Sequence, residues 1–338
     1  MSAAVYVQTN EPGANRVLAF RRDPDGTLAD PTAYPTGGAG DGVPHLTSQG
    51  SVMLTRDGRH LLVTNAGSHE VSVFAIAEDG LELVQTVLAG GAAPKSVTEH
   101  GGLVYVLNTD GPSLTGFRLG PSGLEPLAGS ERALSPDADP AQVGFRPDGS
   151  TLVVTERGTN SIVTYAVGDD GLLGTPAVHT SSGLTPYGFA FTTGGTMIVT
   201  EAFGAQIGKA AASSYIVENG SVTSVSRSVG NGRSEICWAV VSRDDRYAFT
   251  TNFADGAVSC YAIGPDGSIT LDDPVAATAV EGETGLRDED LTADGRFLYA
   301  IDADGQRIFG WAVGEHGSLV PVGSWQGVPA TVAGLAAS

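Results

Sequence analysis

The feature that most constrains this chain is an internal repeat. The stretch from Pro140 to Leu172, PAQVGFRPDGSTLVVTERGTNSIVTYAVGDDGL, is its clearest copy. Ala141 to Phe145 is a short apolar strand, and Pro147-Asp148-Gly149 is a tight turn in which glycine supplies the positive φ. Thr151 to Thr155 is a β-branched run, Ser161 to Val167 a third strand, and Asp169-Asp170-Gly171 a second turn signal. No segment sustains a 3.6-residue apolar period, so helix does not organise the chain. The third-strand aromatic recurs at Phe20, Phe74, Phe117, Tyr165, Tyr215, Tyr261 and Trp311. The second strands end at Asn10, Asn65, Asn108, Glu156, Glu201, Asn252 and Asp302, at intervals of 43 to 55 residues. Units of this length with four strands each describe a β-propeller, and seven copies describe seven blades. A single blade cannot bury both faces of its sheet, so the blades must close into a ring.

The repeat overrides the usual length prior, and residues 1–338 read as one all-β domain, a seven-bladed propeller with four antiparallel strands per blade. The chain begins in mid-blade: Ala4 to Thr9 matches a second strand and Arg16 to Arg22 a third. The missing first strand is supplied by the other end, where Pro329 to Ala336 repeats the texture of Pro186 to Phe191. Residues 328–337 are therefore expected to complete the N-terminal blade and close the ring, leaving no unpaired edge there. The third blade, Pro94 to Leu127, reads as the most abbreviated, and the fifth carries an inserted loop from Phe203 to Ala212.

A formal charge of −20 argues against nucleic acid or an anionic membrane as partner. No run approaches the roughly 18 apolar residues of a membrane span. The N-terminus shows no basic region followed by an apolar one, so a cytoplasmic location is expected. Cys237 and Cys260 fall on the first and third strands of one blade, which is no geometry for a disulfide and fits a reducing compartment. A closed propeller needs no partner for stability, which favours a monomer.

A first strand starts, and a second strand ends, on one face of the ring beside the channel mouth, where a pocket is expected. First-strand starts place Gln49, Lys95, Gln142, Tyr187, Glu235 and the run Arg287-Asp288-Glu289-Asp290 there, and the glycine-rich connection before the second blade adds His45. Asn65, Asn108 and Asn252 are turn residues by type. Glutamate forms turns poorly, so Glu156 and Glu201, equivalent in adjacent blades, stand out as an acid/base pair or a cation site, the alternative being pairing with Arg157. Lys95, one of two lysines, can serve as base or anion hook or lie on the rim. Arg287 beside its three acidic neighbours reads as a salt-bridge network from which Asp288 can face the channel. The six histidines form no ligand-spaced set, and neither a nucleophile elbow nor a phosphate loop is present.

In FRPDGSTLVVTERGTNSIVTYAV, TPYGFAF and CWAVVSRDDRYAFTTNFADGAVSCYAIGPDG, the chain resembles the seven-bladed lactonase family of cycloisomerase-type 6-phosphogluconolactonases and carboxymuconate lactonizing enzymes. The resemblance implies a site at the channel mouth acting on small lactones or carboxylates, without a cofactor or an obligatory metal. The family's glutamate falls on Glu156. Its Pro-Arg-His falls on Pro140-Ala141-Gln142, and its preceding histidine on Pro94-Lys95-Ser96, so Arg and His are absent and Lys95 is the nearest cation. The expected chemistry is lactone opening or closing, with Glu156 moving the proton, Glu201 or Tyr187 as partner, and Lys95, Arg157 or Arg287 steadying negative charge. Two rivals are a non-catalytic propeller that binds a ligand or protein, and a divalent-metal lactonase built on Glu156 and Glu201.

Overall fold

The computed structural model describes residues 3–44, 46, 49–280 and 284–338. It forms a ring of seven antiparallel sheets, each threaded from the innermost strand outward. The fourth blade follows the sequence reading closely, with strands Pro140–Phe145, Thr151–Glu156, Ser161–Ala166 and Ala177–Thr180. The third blade departs from it. Its outer strand is split into Gly123–Pro126 and Arg132–Ala133, both paired to Ser113–Gly120. Ser130 fills the gap, its hydroxyl meeting both the N–H and the carbonyl of Gly116.

Why the third-strand aromatic marks each repeat is visible in the core. Of the eight buried apolar clusters among the described residues, seven each hold one of these rings. Tyr165 packs on Tyr105 and Leu107 of the preceding blade, Trp311 on Phe249, and Phe20 of the first blade on Tyr299 and Ile301 of the last. All seven rings are buried. Each contributes about 1.5–3 kcal/mol of hydrophobic free energy, and only when two blades are in contact.

The ring closes as expected. Ala333–Ala337 pairs with Ala4–Gln8 as the innermost strand of the first blade. Ser338 extends the closure, its backbone N–H donating to Ala4 and its carbonyl accepting from Arg22. One register expectation shifts: the residue equivalent to Asn65 at the end of the first blade's second strand is Thr9, not Asn10, because Gln8 pairs with Val17 and the Thr9 N–H donates to Arg16, which stands four residues before Phe20 as Glu70 stands before Phe74. Asn10 lies beyond the strand and holds Asp41 and Val43 of the next connection.

The inner strands carry one further device. In blades three to seven each contains a one-residue irregularity near its start, between Pro94 and Ser96, Pro140 and Gln142, Pro186 and Phe189, Ile236 and Ala239, and Leu286 and Glu289. An extra residue in one strand re-aims its side chain out of the ladder. The residues so released include Lys95, Ala141, Tyr187, Cys237, Trp238, Arg287 and Asp288. Removing residues 329–338 takes away the inner strand and leaves Phe20 and Val7 without cover; the truncated chain is expected to lose a single cooperative thermal transition, measured by circular dichroism and calorimetry.

Candidate functional site

Two ends of the channel have different fates. At the end where the first strands begin, the channel is filled. Ala141, Tyr187, Cys237 and Trp238 from three consecutive blades form a buried cluster, with Phe253 packed against it. Tyr187 and Trp238 meet at 5.5 Å between ring centroids, and the Arg157 guanidinium lies 4.9 Å over the Tyr187 ring. Gln49 spans the channel above this layer: its backbone N–H donates to Ala141, while its side-chain amide donates to the Ala239 carbonyl and accepts from the Ala239 N–H. Gly188 is required beneath it, because a Cβ there would come within 2.2 Å of Gln49 Oε1.

The open space lies on the other side of this plug. A cavity of 720 Å³ runs along the channel toward the face that carries the turns between first and second strands. All seven inner strands or their turns line it. Gln142, Trp238, Asp288, Glu289 and Asp290 form its inner part, and Arg56 and Arg243 stand at its mouth. The expected pocket therefore exists in the channel but opens at the opposite end. The physical reason is that the bulged inner-strand starts turn aromatic side chains inward and fill the near end.

The sequence-derived residues separate accordingly. Glu156 and Glu201 do not line this cavity. Glu156 is buried, accepting from the Ser135 N–H at 3.2 Å and from the Thr159 hydroxyl at 2.7 Å. Glu201 accepts from the Gly183 N–H and from the hydroxyls of Ser213 and Ser228. Asn65 and Asn252 make the same kind of contact, to Asn15 and Thr36 and to Asn231. Glu156, Glu201, Asn65 and Asn252 are thus latches that hold the chain arriving from the previous blade, whereas Asn108 turns to Thr115 and Asp302 to Gly305 and Arg307 of their own blades. The glycines opposite them allow the close approach: a Cβ on Gly183 would lie 2.2 Å from Glu201 Oε2.

Lys95 pairs with Asp41 at 3.2 Å and tethers the long connection before the second blade. Arg157 pairs with Asp139 at 2.6 Å, so its partner is not Glu156. Gln142 bridges to the next blade, donating to the Phe189 carbonyl and accepting from its N–H, and still lines the cavity. Tyr187 is buried in the plug with no hydrogen-bond partner for its hydroxyl among the described residues, and burial raises its proton affinity well above the ordinary phenol value. Arg287 is buried, bonds the Pro44 carbonyl through Nη2, and among the described residues finds no partner for Nε and Nη1. His45 lies outside the described residues.

The run after Arg287 is the part that spacing undervalued. Among the described residues no ion pair joins Arg287 to its three acidic neighbours, and Asp288 does face the channel. Asp288 and Glu289 are buried, 2% and 4% exposed, in the cavity wall. Asp288 is approached by the Trp238 indole and the Gly334 N–H, while its Oδ2 is unpartnered. Burial raises its pKa to about 7, against a smaller pull downward from Arg287. Burial, then the nearby Asp290 charge, raises Glu289 well above the ordinary carboxyl value. Asp290 accepts from the Ala337 N–H and is raised to about 6, again mainly by burial. The one sequence signal for this wall was three consecutive acids on an inner strand whose own core positions were otherwise apolar.

The fold is a seven-bladed ring with a cavity of 720 Å³ along its channel. The Lactonase family, described as "Lactonase, 7-bladed beta-propeller", matches residues 5–126, 122–207 and 203–331, and the chain belongs to that family. Among solved structures it is similar to a periplasmic gluconolactonase of Pseudomonas aeruginosa, at 18% identity and TM-score 0.77 over 100% of this chain and 99% of that one. A candidate 6-phosphogluconolactonase of Bacteroides fragilis aligns at 20% identity and TM-score 0.75, over 100% and 98%. A functionally unknown protein of Desulfotomaculum acetoxidans aligns at 14% identity and TM-score 0.76, over 100% and 99%. No curated protein matches the sequence. No described helix is long and apolar enough to cross a membrane, and no group of three His, Cys, Asp or Glu that could hold a metal is gathered among the described residues.

Two outcomes follow for stability. Glu156→Ala strands the Ser135 N–H and the Thr159 hydroxyl and is expected to cost about 1–3 kcal/mol in urea unfolding, with Glu201→Ala at the upper end of that range. The wall acids act through pH. A carboxyl whose proton affinity is raised by folding binds more protons native than unfolded, so it withdraws stability as pH rises from its unfolded value of 3.8 toward the folded value near 7 for Asp288. The difference in melting temperature, Asp288→Asn minus wild type, is expected to grow more positive across that window and to level off above it.

Proposed function

We propose that this chain hydrolyses a small lactone in the channel cavity, with Asp288 as the general base. The observation that carries the reading is the Asp288 carboxyl itself: buried in the wall of a channel cavity, with an unpartnered Oδ2 and a pKa of about 7, in a chain of the lactonase family. A base poised near neutrality is half ionised where it works and still strong enough to take a proton from water.

In this scheme the Asp288 carboxylate removes a proton from a water molecule as its oxygen bonds to the lactone carbonyl carbon. The carbonyl π pair moves onto oxygen. Gln142 Nε2, which spends one N–H on the Phe189 carbonyl, offers its second to that oxyanion. Collapse restores the carbonyl, breaks the ring C–O bond, and passes the proton from Asp288 to the departing alkoxide, leaving a hydroxy acid. Trp238 holds the carboxyl that makes the transfer.

The electrostatics favour a substrate without negative charge. Three acids line the cavity wall, the guanidinium groups of Arg56 and Arg243 stand at the mouth and are partly spent on the carbonyls of Pro147, Leu291 and Thr292, and the chain as a whole carries −20. A phosphorylated or polycarboxylated lactone would meet repulsion at each stage.

Acid release at constant pH, across plain, hydroxylated and carboxylated five- and six-membered lactones, tests the reading. kcat/KM is expected to rise with pH through an inflection near 7 and to fall by about 10²–10⁴ in Asp288→Asn, with Glu156→Gln retaining turnover. Turnover that survives in Asp288→Asn but disappears in Glu156→Gln would return the chemistry to the latch of the fourth blade.

A further inference from the structure

We infer that the cavity selects ligands bearing an ammonium group, which Glu289 and Asp290 bind on the inner wall. If the chain is a lactonase, a premise this inference takes from the reading above, its substrate is a small lactone carrying an amine, of the α-amino-γ-lactone class.

The argument rests on which wall groups lack partners. Glu289 is 4% exposed, and among the described residues the one donor near its carboxyl is the Thr251 backbone N–H, with neither oxygen held in a well-formed hydrogen bond. Among the described residues, Asp288, one residue before it, leaves Oδ2 unpartnered, and Asp290, one residue after, spends its oxygens on the Leu291 and Ala337 N–H groups. All three line the same cavity. A buried carboxyl without donors is expensive to keep and is ordinarily paired. Removing solvent raises the cost further, so the empty wall relieves it by holding protons.

What is missing is a cation of the right size. The charged and titratable groups facing this wall are few. Arg287, Tyr187 and Cys237 lie on the plug side of Asp288, and Arg243 lies near Asp290. Facing Glu289 there is only the Thr251 backbone N–H besides the neighbouring acids. Arg243 is exposed and engages Leu291 and Thr292. An alkylammonium entering the channel would supply three N–H donors and one positive charge to a wall that is short of both. A neutral ligand could offer hydroxyl donors but would leave the charge of any ionised acid unmatched, and an anion would oppose it.

Such pairing has a signature that simple shape recognition lacks. The wall acids must give up protons as the ammonium binds, so affinity is linked to pH and binding releases protons to buffer. The probe pair is 3-aminopyrrolidin-2-one, a lactam with the ring and amine of an α-amino-γ-lactone, and pyrrolidin-2-one, the same ring without the amine. Titration calorimetry of the full chain, in two buffers of different ionisation enthalpy, is expected to show the aminolactam binding at least about tenfold more tightly. Its affinity should strengthen from about pH 5 to about pH 7, with a fraction of a proton released per molecule bound. Glu289→Gln is expected to reduce that preference and the proton release, and the wild-type comparison stands by itself if that variant does not fold. Equal affinity for the two lactams, no binding of either, or binding without proton release would overturn the inference. Aminolactam binding in a chain that turns over no lactone would uphold it and overturn the lactonase reading; turnover of plain lactones with no amine preference would do the reverse.

Discussion

Everything in this molecule depends on a sheet of four strands having two apolar faces and no means of covering either alone. The solution is circular: each blade covers the next, and the aromatic ring of each third strand fills the wedge toward the blade before it, down to Phe20 against Tyr299 across the closure. Because the last contact of the ring is the one between the first and seventh blades, the strand Ala333–Ala337 carries a burden out of proportion to its five residues. Only when it is in place does the first blade have an inner face.

Ring geometry also explains the division of labour among the polar residues. Seven inner strands line one axis, and the two ends of the channel they enclose differ. At the end where they begin, the one-residue irregularities turn Tyr187, Cys237 and Trp238 inward, and Gln49 is laid across them. Polar groups at four of the second-strand ends latch the incoming connections. What remains open is the other end, and there the wall is formed by what the inner strands present at mid-length. In six blades that is mainly apolar or neutral; in the seventh it is Asp288, Glu289 and Asp290.

The latches illustrate how one position in a repeat can be given over to holding the backbone. Glu156 and Glu201 occupy equivalent positions in adjacent blades, and a carboxylate at such a place invites a catalytic role. In the folded chain each is surrounded by N–H and O–H donors from its own blade and the preceding connection. Asn65 and Asn252 serve the same need with shorter side chains.

The repeat period, the marker aromatics and the texture shared between Pro329–Ala336 and Pro186–Phe191 were enough to determine seven blades, their order and the route of ring closure, because these follow from local strand patterning and from the need to pair an open edge. The family resemblance was equally legible in contiguous motifs. The choice of channel end was not. Which end of an inner strand is filled depends on where an extra residue shifts the ladder and on which side chains from other blades, such as Gln49, cross the axis. Nor could the sequence tell that the run after Arg287 is a buried, donor-poor wall and not a solvated ion-pair cluster. Burial is a property of seven strands brought together from positions almost 300 residues apart, and only the tertiary structure removes the water that would otherwise have satisfied those carboxylates.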